Sequence, residues 1–200
     1  MGMTCTFHRA TASEIERLIK EPAAVSSFLH GDDGPPVRVV REKGLVGLIL
    51  RLFPITITEV SSEPDKPIPV PDPDKTIDID KLWHGLHFLF TGTADEGEEP
   101  ACYLVRGGED LDDEGTARAL RPNQVRRFAD YLAGLTPEEL RRRYDPARMK
   151  RLEIYPEQIW TRPASPGDAP LESLLECFSQ TRTFISRAAQ AGDGIIIDIS

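Results

Sequence analysis

A chain of 200 residues that is 40% hydrophobic and 28% charged has the composition of one globular domain, which excludes wholesale disorder and fibrous repeats. Twenty-four lysines and arginines against 33 aspartates and glutamates leave a net charge of −9, which repels a phosphate backbone, so nucleic acid is not an expected partner. The three cysteines, Cys5, Cys102 and Cys177, are odd in number and far apart with no C-x-x-C pair, and they read as buried free thiols in a reducing cytoplasm.

The chain opens on "MGMTCTFHRA", in which Met3, Cys5 and Phe7 alternate with Thr4, Thr6 and His8. Period 2 predicts a half-buried strand with His8 turned away from the core. "MGMTCT" also fits the short M-G-x-x-x-[ST] acylation pattern, but the alternation that follows is the simpler account. Thr11 and Glu14 make the T-x-x-E capping box of a helix with Ile15, Leu18 and Ile19 inward, and Pro22 permits a second helical segment closing near Gly31.

Residues 37–53, "VRVVREKGLVGLILRLF", are apolar nearly all round, with Arg38, Arg41, Lys43 and Arg51 scattered through them. Such a segment either packs into a core or docks on an anionic membrane, and the lack of separated faces favours the core. Its longest greasy run, 44–53, is too short to span a bilayer and no apolar leader opens the chain, so a cytoplasmic protein without membrane attachment is expected. From 61 to about 76 the chain reads as a Pro/Asp-rich surface connector, because the prolines at 64, 67, 69, 71 and 73 suit neither a helix nor a central strand.

Next, "DIDKLWHGLHFLF" predicts a helix entered through Asp80 and ended at Gly92. His84 and His87 are spaced i, i+3 on it and come within reach of each other, with Trp83 beside them. A zinc site needs at least a third protein ligand, and the nearest carboxylates, Glu96, Glu98 and Glu99, lie beyond the helix. The favoured reading is therefore structural: His87 packs on Trp83 and bonds a neighbouring backbone group, while His84 lies nearer solvent. No metal and no cofactor is expected. Should the helix instead line a ligand pocket, its walls would be Trp83, His84, His87 and Glu98, with a glutamate from 96–99 as a general base.

A short helix is expected from Pro100 to about Arg106, then an acidic loop at 107–115, a short strand in "TARAL", and a helix entered through Pro122 with Val125, Phe128, Ala129 and Leu132 on one face. Thr136–Pro137 and Asp145–Pro146 start two further helices. Arg141, Arg142, Arg143, Arg148, Lys150 and Arg151 form the one basic cluster, read as a solvated face in which Glu138 and Glu139 neutralise Arg142 and Arg143 at i, i+4 rather than as an anion-binding patch. The last helix carries Leu171, Leu174, Leu175, Phe178, Ile185, Ala188 and Ala189 at helical spacing and stops at Gly192, and "IIIDIS" follows as a strand buried on both faces.

The opening "MGM", "DIDKLWHGLHFLFTGT", "LRPNQV", "LTPEELRRRYDPARMKRLEIYP" and the helix-to-strand finish together resemble the YfbM-like family, small bacterial cytoplasmic proteins of unknown function. The resemblance runs through most of the chain in order and is weakest over 32–76. It implies an α+β fold over 1–200 as one domain: a small mixed sheet including the N- and C-terminal strands, covered by several helices. That agrees with the strand-first, strand-last pattern. It transfers no catalytic residue. Two functions stay open: a non-catalytic protein meeting a protein partner through its acidic surface, as a regulator or an antitoxin or immunity-like antidote would, and a small-molecule binder or enzyme with a pocket at 80–91.

Overall fold

Alternation near the N-terminus produces strand β1, Cys5–Ala10, but two residues further on than the pattern begins. The computed structural model describes residues 2–30, 75–113, 115–162 and 169–200. The expected apolar segment at 37–53 and all but the end of the connector at 61–76 lie outside them; its last residue, Thr76, already belongs to strand β2, Thr76–Asp78.

Among the described residues five strands form one sheet in the order β2, β1, β5, β4, β3, with β3 at Glu109–Asp110, β4 at Ala117–Leu120 and β5 at Gly194–Ile199. The α+β fold and the sheet with both terminal strands are as the family resemblance implied, but every pairing is antiparallel rather than mixed. Phe7 lies opposite Ile197 and Ile197 opposite Arg118, which puts the first strand, the last and β4 in register across the middle.

Because side chains alternate along a strand, each face of the sheet needs its own cover. One face presents Cys5, Phe7, Leu120, Ile195 and Ile197 to the main core; the other presents Ala10, Ala117, Ala119 and Ile196 to a second, smaller core. Helices α1, Ala12–Lys20, and α2, Val25–His30, supply Ile15, Leu18, Val25 and Phe28 to that second core. This is why His8, expected to face solvent, is only 6% exposed: the strand's second side is covered too.

The main core is built by α3, Trp83–Thr91; α4, Pro122–Ala133; α5, Pro137–Arg143; α6, Pro146–Arg151; α7, Glu157–Trp160; and α8, Pro170–Ala191. Phe90 of α3 meets Phe128 of α4 and Phe178 of α8 edge-on at 6.5 and 6.1 Å, a preferred aromatic geometry. The helix ends follow the sequence signals. Thr11 accepts from the Glu14 amide while Glu14 accepts from that of Thr11; Thr136 and Glu139 repeat the arrangement, and Asp145 accepts from the Arg148 amide. Gly92 and Gly192 end α3 and α8 at φ of 75° and 73°, a left-handed turn that glycine enters without strain.

Three expectations fail locally. Asp80 does not cap α3; it sits at φ 48° in a 3₁₀ turn, Asp80–Leu82, with its own amide bonded to Asp78. Residues 100–106 form hydrogen-bonded turns rather than a helix. The basic cluster is not neutralised by Glu138 and Glu139: Arg141 pairs with Glu172, Arg143 donates to the Leu89 carbonyl at 3.0 Å and Arg148 to that of Gly92 at 2.7 Å. Those two cations close the C-terminus of α3, where unpaired carbonyls and the helix dipole favour positive charge. No helix among the described residues is long and apolar enough to cross a membrane.

Candidate functional site

Helix α3 carries every ring the sequence singled out, and all but two of its residues are buried. It fits this deeply because Gly85 leaves room for Trp160: a Cβ at Gly85 would lie 2.5 Å from the indole. Trp160 is in turn fixed by donating from Nε1 to the Ile154 carbonyl at 2.7 Å.

Trp83 stacks on His84 with centroids 4.9 Å apart and planes 10° from parallel, and on Tyr155 at 6.2 Å. His84 is doubly engaged: Nδ1 accepts from the Tyr155 amide at 2.9 Å and Nε2 meets the Ala94 carbonyl at 2.7 Å. An Nδ1 that accepts must be unprotonated, so the ring is the neutral Nε2–H tautomer donating to Ala94. Burial lowers its pKa, and the contact with Ala94 partly opposes the change.

His87 is the more deeply buried, at 0% exposure, and lies 6.5 Å from His84 centre to centre. Neither of its nitrogens has a hydrogen-bond partner, and neither has Trp83 Nε1. Desolvation first, then the neighbouring His84, pushes the His87 pKa down to about 4. The Glu96 carbonyl, which accepts from the Thr93 hydroxyl at 2.6 Å, lies on the flank of the ring and partly opposes the fall in its pKa. The hydrogen bonds expected of His87 are thus made by His84, which holds two backbone groups, while His87 has only the Glu96 carbonyl on its flank.

Glu98 is not brought to the rings; it stands on the exposed stretch 95–99, and no contact joins it to Trp83, His84 or His87. The described residues contain no group of three or more His, Cys, Asp or Glu able to hold a metal ion. Four cavities between described residues are lined by none of Trp83, His84, His87 and Glu98, although Asp80 and Leu82 line one of them and Phe88, Leu89, Phe90 and Thr91 another. All three cysteines are buried, with their thiol pKa values raised by desolvation, that of Cys177 to about 12, so the protonated, unreactive form prevails at neutral pH.

Two features lie outside the expected residues. The first is Arg118, 5% exposed, whose guanidinium donates to the Leu104 and Gly107 carbonyls at 2.9 and 3.0 Å. It fastens the 104–107 turn to β4 and so sets the course of the acidic loop after it. The second is an acidic strip. Glu96, Glu98, Asp110 and Asp113 are exposed and form no ion pair, whereas Asp95 pairs with Arg106 and Glu99 with Arg127. A Cβ at Gly107 would lie 3.2 Å from Glu99 Oε1, so the Glu99 side chain reaches the turn that leads into β3.

Residues 1–197 match the model of a family described as a domain of unknown function, DUF1877. Protein YfbM of Escherichia coli strain K12 is 28% identical over 123 residues, which span 56% of this chain and 74% of that protein. The crystal structure of YfbM from Escherichia coli, described as a protein of unknown function, superposes with a TM-score of 0.62 at 18% identity and covers 98% of this chain and 99% of that one, a likeness of fold.

Proposed function

The chain belongs to the DUF1877 family of domains of unknown function, and from that premise we propose that it is a non-catalytic binding protein that meets a basic protein partner through the acidic strip of 95–99 and 109–113. The carrying observation is that Glu96, Glu98, Asp110 and Asp113 are exposed without an ion pair while Asp95, Glu99 and Glu109 near them in sequence are paired. Unpaired charge of one sign on adjoining loops raises the association rate with an oppositely charged surface and sets the orientation of encounter. Such a protein acts by occupancy, as a regulator or as an antidote to a basic toxin does.

The test is affinity capture from lysate of the source cells with the wild type and with a Glu96→Gln/Glu98→Gln/Asp110→Asn/Asp113→Asn variant. Support would be a partner of basic isoelectric point held by the wild type at low salt, released by salt and missed by the variant. Equal capture by both proteins would overturn the reading.

A second reading, a small-molecule binder at the 80–91 helix, is favoured by the three buried, unpartnered nitrogens of Trp83 and His87. A polar ligand reaching them would supply hydrogen bonds whose absence costs about 1–3 kcal/mol per group. Thermal melts against a metabolite panel test it: a stabilising compound whose effect vanishes in His87→Leu supports the reading, and a panel that shifts neither protein, or both alike, sinks it.

A further inference from the structure

Most arginines of the described chain are engaged. Arg9 pairs with Asp193, Arg121 with Glu16 and Glu109, Arg127 with Glu99 and Arg141 with Glu172; Arg118, Arg143 and Arg148 donate to carbonyls. Arg126, Arg142, Arg151, Arg182 and Arg187 make neither an ion pair nor a side-chain hydrogen bond, and of these Arg182 and Arg187 share one cavity. Both stand on the wall of one groove of about 500 Å³ between α4 and α8. Its other lining residues are Ala129 and Ala133 of α4 and Thr183, Ser186 and Gln190 of α8.

The hydrogen-bonding capacity of this groove is lopsided. Thr183 spends its hydroxyl on the Ser179 carbonyl at 2.9 Å, and Gln190 donates to Ser186 Oγ at 3.3 Å. Besides the Ser186 hydroxyl proton and the Gln190 carbonyl, what stays open is two guanidinium groups, each with five N–H donors and no acceptor of its own. Arg182 is held in place, its guanidinium carbon 5.2 Å from the Phe178 ring centre on the same helix. On the α4 side the groove offers only methyl groups, which let another backbone come close.

We propose that the groove between α4 and α8 is a docking site for an acidic helical segment of a protein partner. Charge complementarity selects the occupant: unpaired arginines on a chain of net charge −9 attract a local carboxylate cluster, whereas the field of the whole molecule repels a long polyphosphate. Dimensions select its form. Arg182 and Arg187 are separated along α8 by about 7.5 Å at the α-helical rise, about 2 Å more than one turn of a facing helix, a difference that their long side chains can span. From Arg182 to Gln190 the wall runs about 12 Å, two turns of such a helix. Guanidinium groups bind carboxylates through paired N–H donors, which fixes the register of the docked segment. This surface is distinct from the acidic strip, and its test needs no partner of that strip.

The probe is a fluorescein-labelled, alanine-rich peptide with glutamate at every fourth position, titrated by anisotropy at low salt. Its glutamine counterpart and a single-stranded oligonucleotide of equal charge serve as comparators. The glutamate peptide is expected to bind and the other two to bind at least several-fold more weakly. Arg182→Ala and Arg187→Ala should each weaken binding by about fivefold, the scale of one exposed ion pair. Ala133→Glu, which keeps both arginines but fills and recharges the groove, should weaken it as well. Removing two positive charges elsewhere, with Lys150→Ala/Arg151→Ala, should leave the affinity within twofold. All these positions are at least partly exposed on helices where alanine is favourable, apart from the added glutamate, so folding persists. No binding, equal binding of the glutamine peptide, a stronger oligonucleotide complex, or an equal loss in the Lys150→Ala/Arg151→Ala variant would each overturn the proposal.

Discussion

Trp83 and His84, adjacent in sequence, lie face to face at 4.9 Å. Successive side chains of a regular helix diverge by about 100° and do not stack. These two do because they stand where the 3₁₀ turn passes into α3 and because the Tyr155 amide draws the imidazole to one side. His84 therefore ties α3 to Ala94 on one flank and to Tyr155 on the other, and His84→Ala should cost about 2–4 kcal/mol, combining lost packing with two orphaned backbone groups. His87→Leu deletes two buried nitrogens that have no partner and should be neutral or stabilising by about 1 kcal/mol. Urea unfolding of the two variants gives the order; a larger loss in His87→Leu than in His84→Ala would show that the ring of His87 is engaged after all.

The same rings set an acid response. A histidine whose folded pKa is depressed takes up a proton more readily when unfolded, so stability falls as pH falls. For His87 the window opens below the ordinary value of 6.5 and closes near 4, and the loss across it is about 3 kcal/mol. His84 contributes with the same sign, since its Nδ1 cannot keep the Tyr155 bond once protonated. Unfolding midpoints at pH 7 and pH 5 should differ in the wild type and converge in part in His87→Leu.

Gly85→Ala tests packing against propensity. Alanine in mid-helix is worth about 1 kcal/mol over glycine. The added methyl would nevertheless stand 2.5 Å from Trp160 and 2.9 Å from Leu174, both immobile in the core. Overpacking of this kind costs about 1–3 kcal/mol or more, so the substitution should lower the melting temperature despite the better helix former.

Ile196→Asp places a carboxylate in the second core, between Ala119 and His8 on the neighbouring strands. In surroundings apolar apart from His8, the penalty is several kcal/mol, a large part of what a domain this size possesses. Loss of soluble protein, or a melting point far below that of Ile196→Val, is the expected outcome; a melt like the wild type would mean that β5 is not internal.

What the sequence disclosed were features written locally. Thr11 with Glu14, Thr136 with Glu139, and Gly192 after an apolar stripe all announce helix ends through chemistry confined to a few residues. Strands β1 and β5 were visible as alternation and as an apolar run. Strands β2 and β3, three and two residues long, are too short to display a period. The remaining differences depend on what arrives from elsewhere in the chain. His8 reads as outward until α1 and α2 cover it, and Arg143 reads as a solvated charge until α3 ends beside it. His84 and His87 were correctly placed on one helix, but spacing could not say which would meet Ala94 and Tyr155. The α4–α8 groove left one faint trace, arginines five apart on the outer side of a helix whose leucines face inward.

Thr4 and Ser200 exchange backbone hydrogen bonds of 2.7 and 3.0 Å across 196 positions of sequence. The strand between β1 and β4 is the last in sequence of the elements described, and until it emerges β1 has only β2 and β4 only β3 beside it. Mean sequence separation between contacting residues governs how fast a domain folds, because distant segments must meet before they are rewarded. Helices such as α4 and α8 can form early, whereas the sheet that organises them closes in one late step. For that interval Phe7 and Leu120 are left without the strand that joins them, and a nascent chain in this state is a natural client for a chaperone.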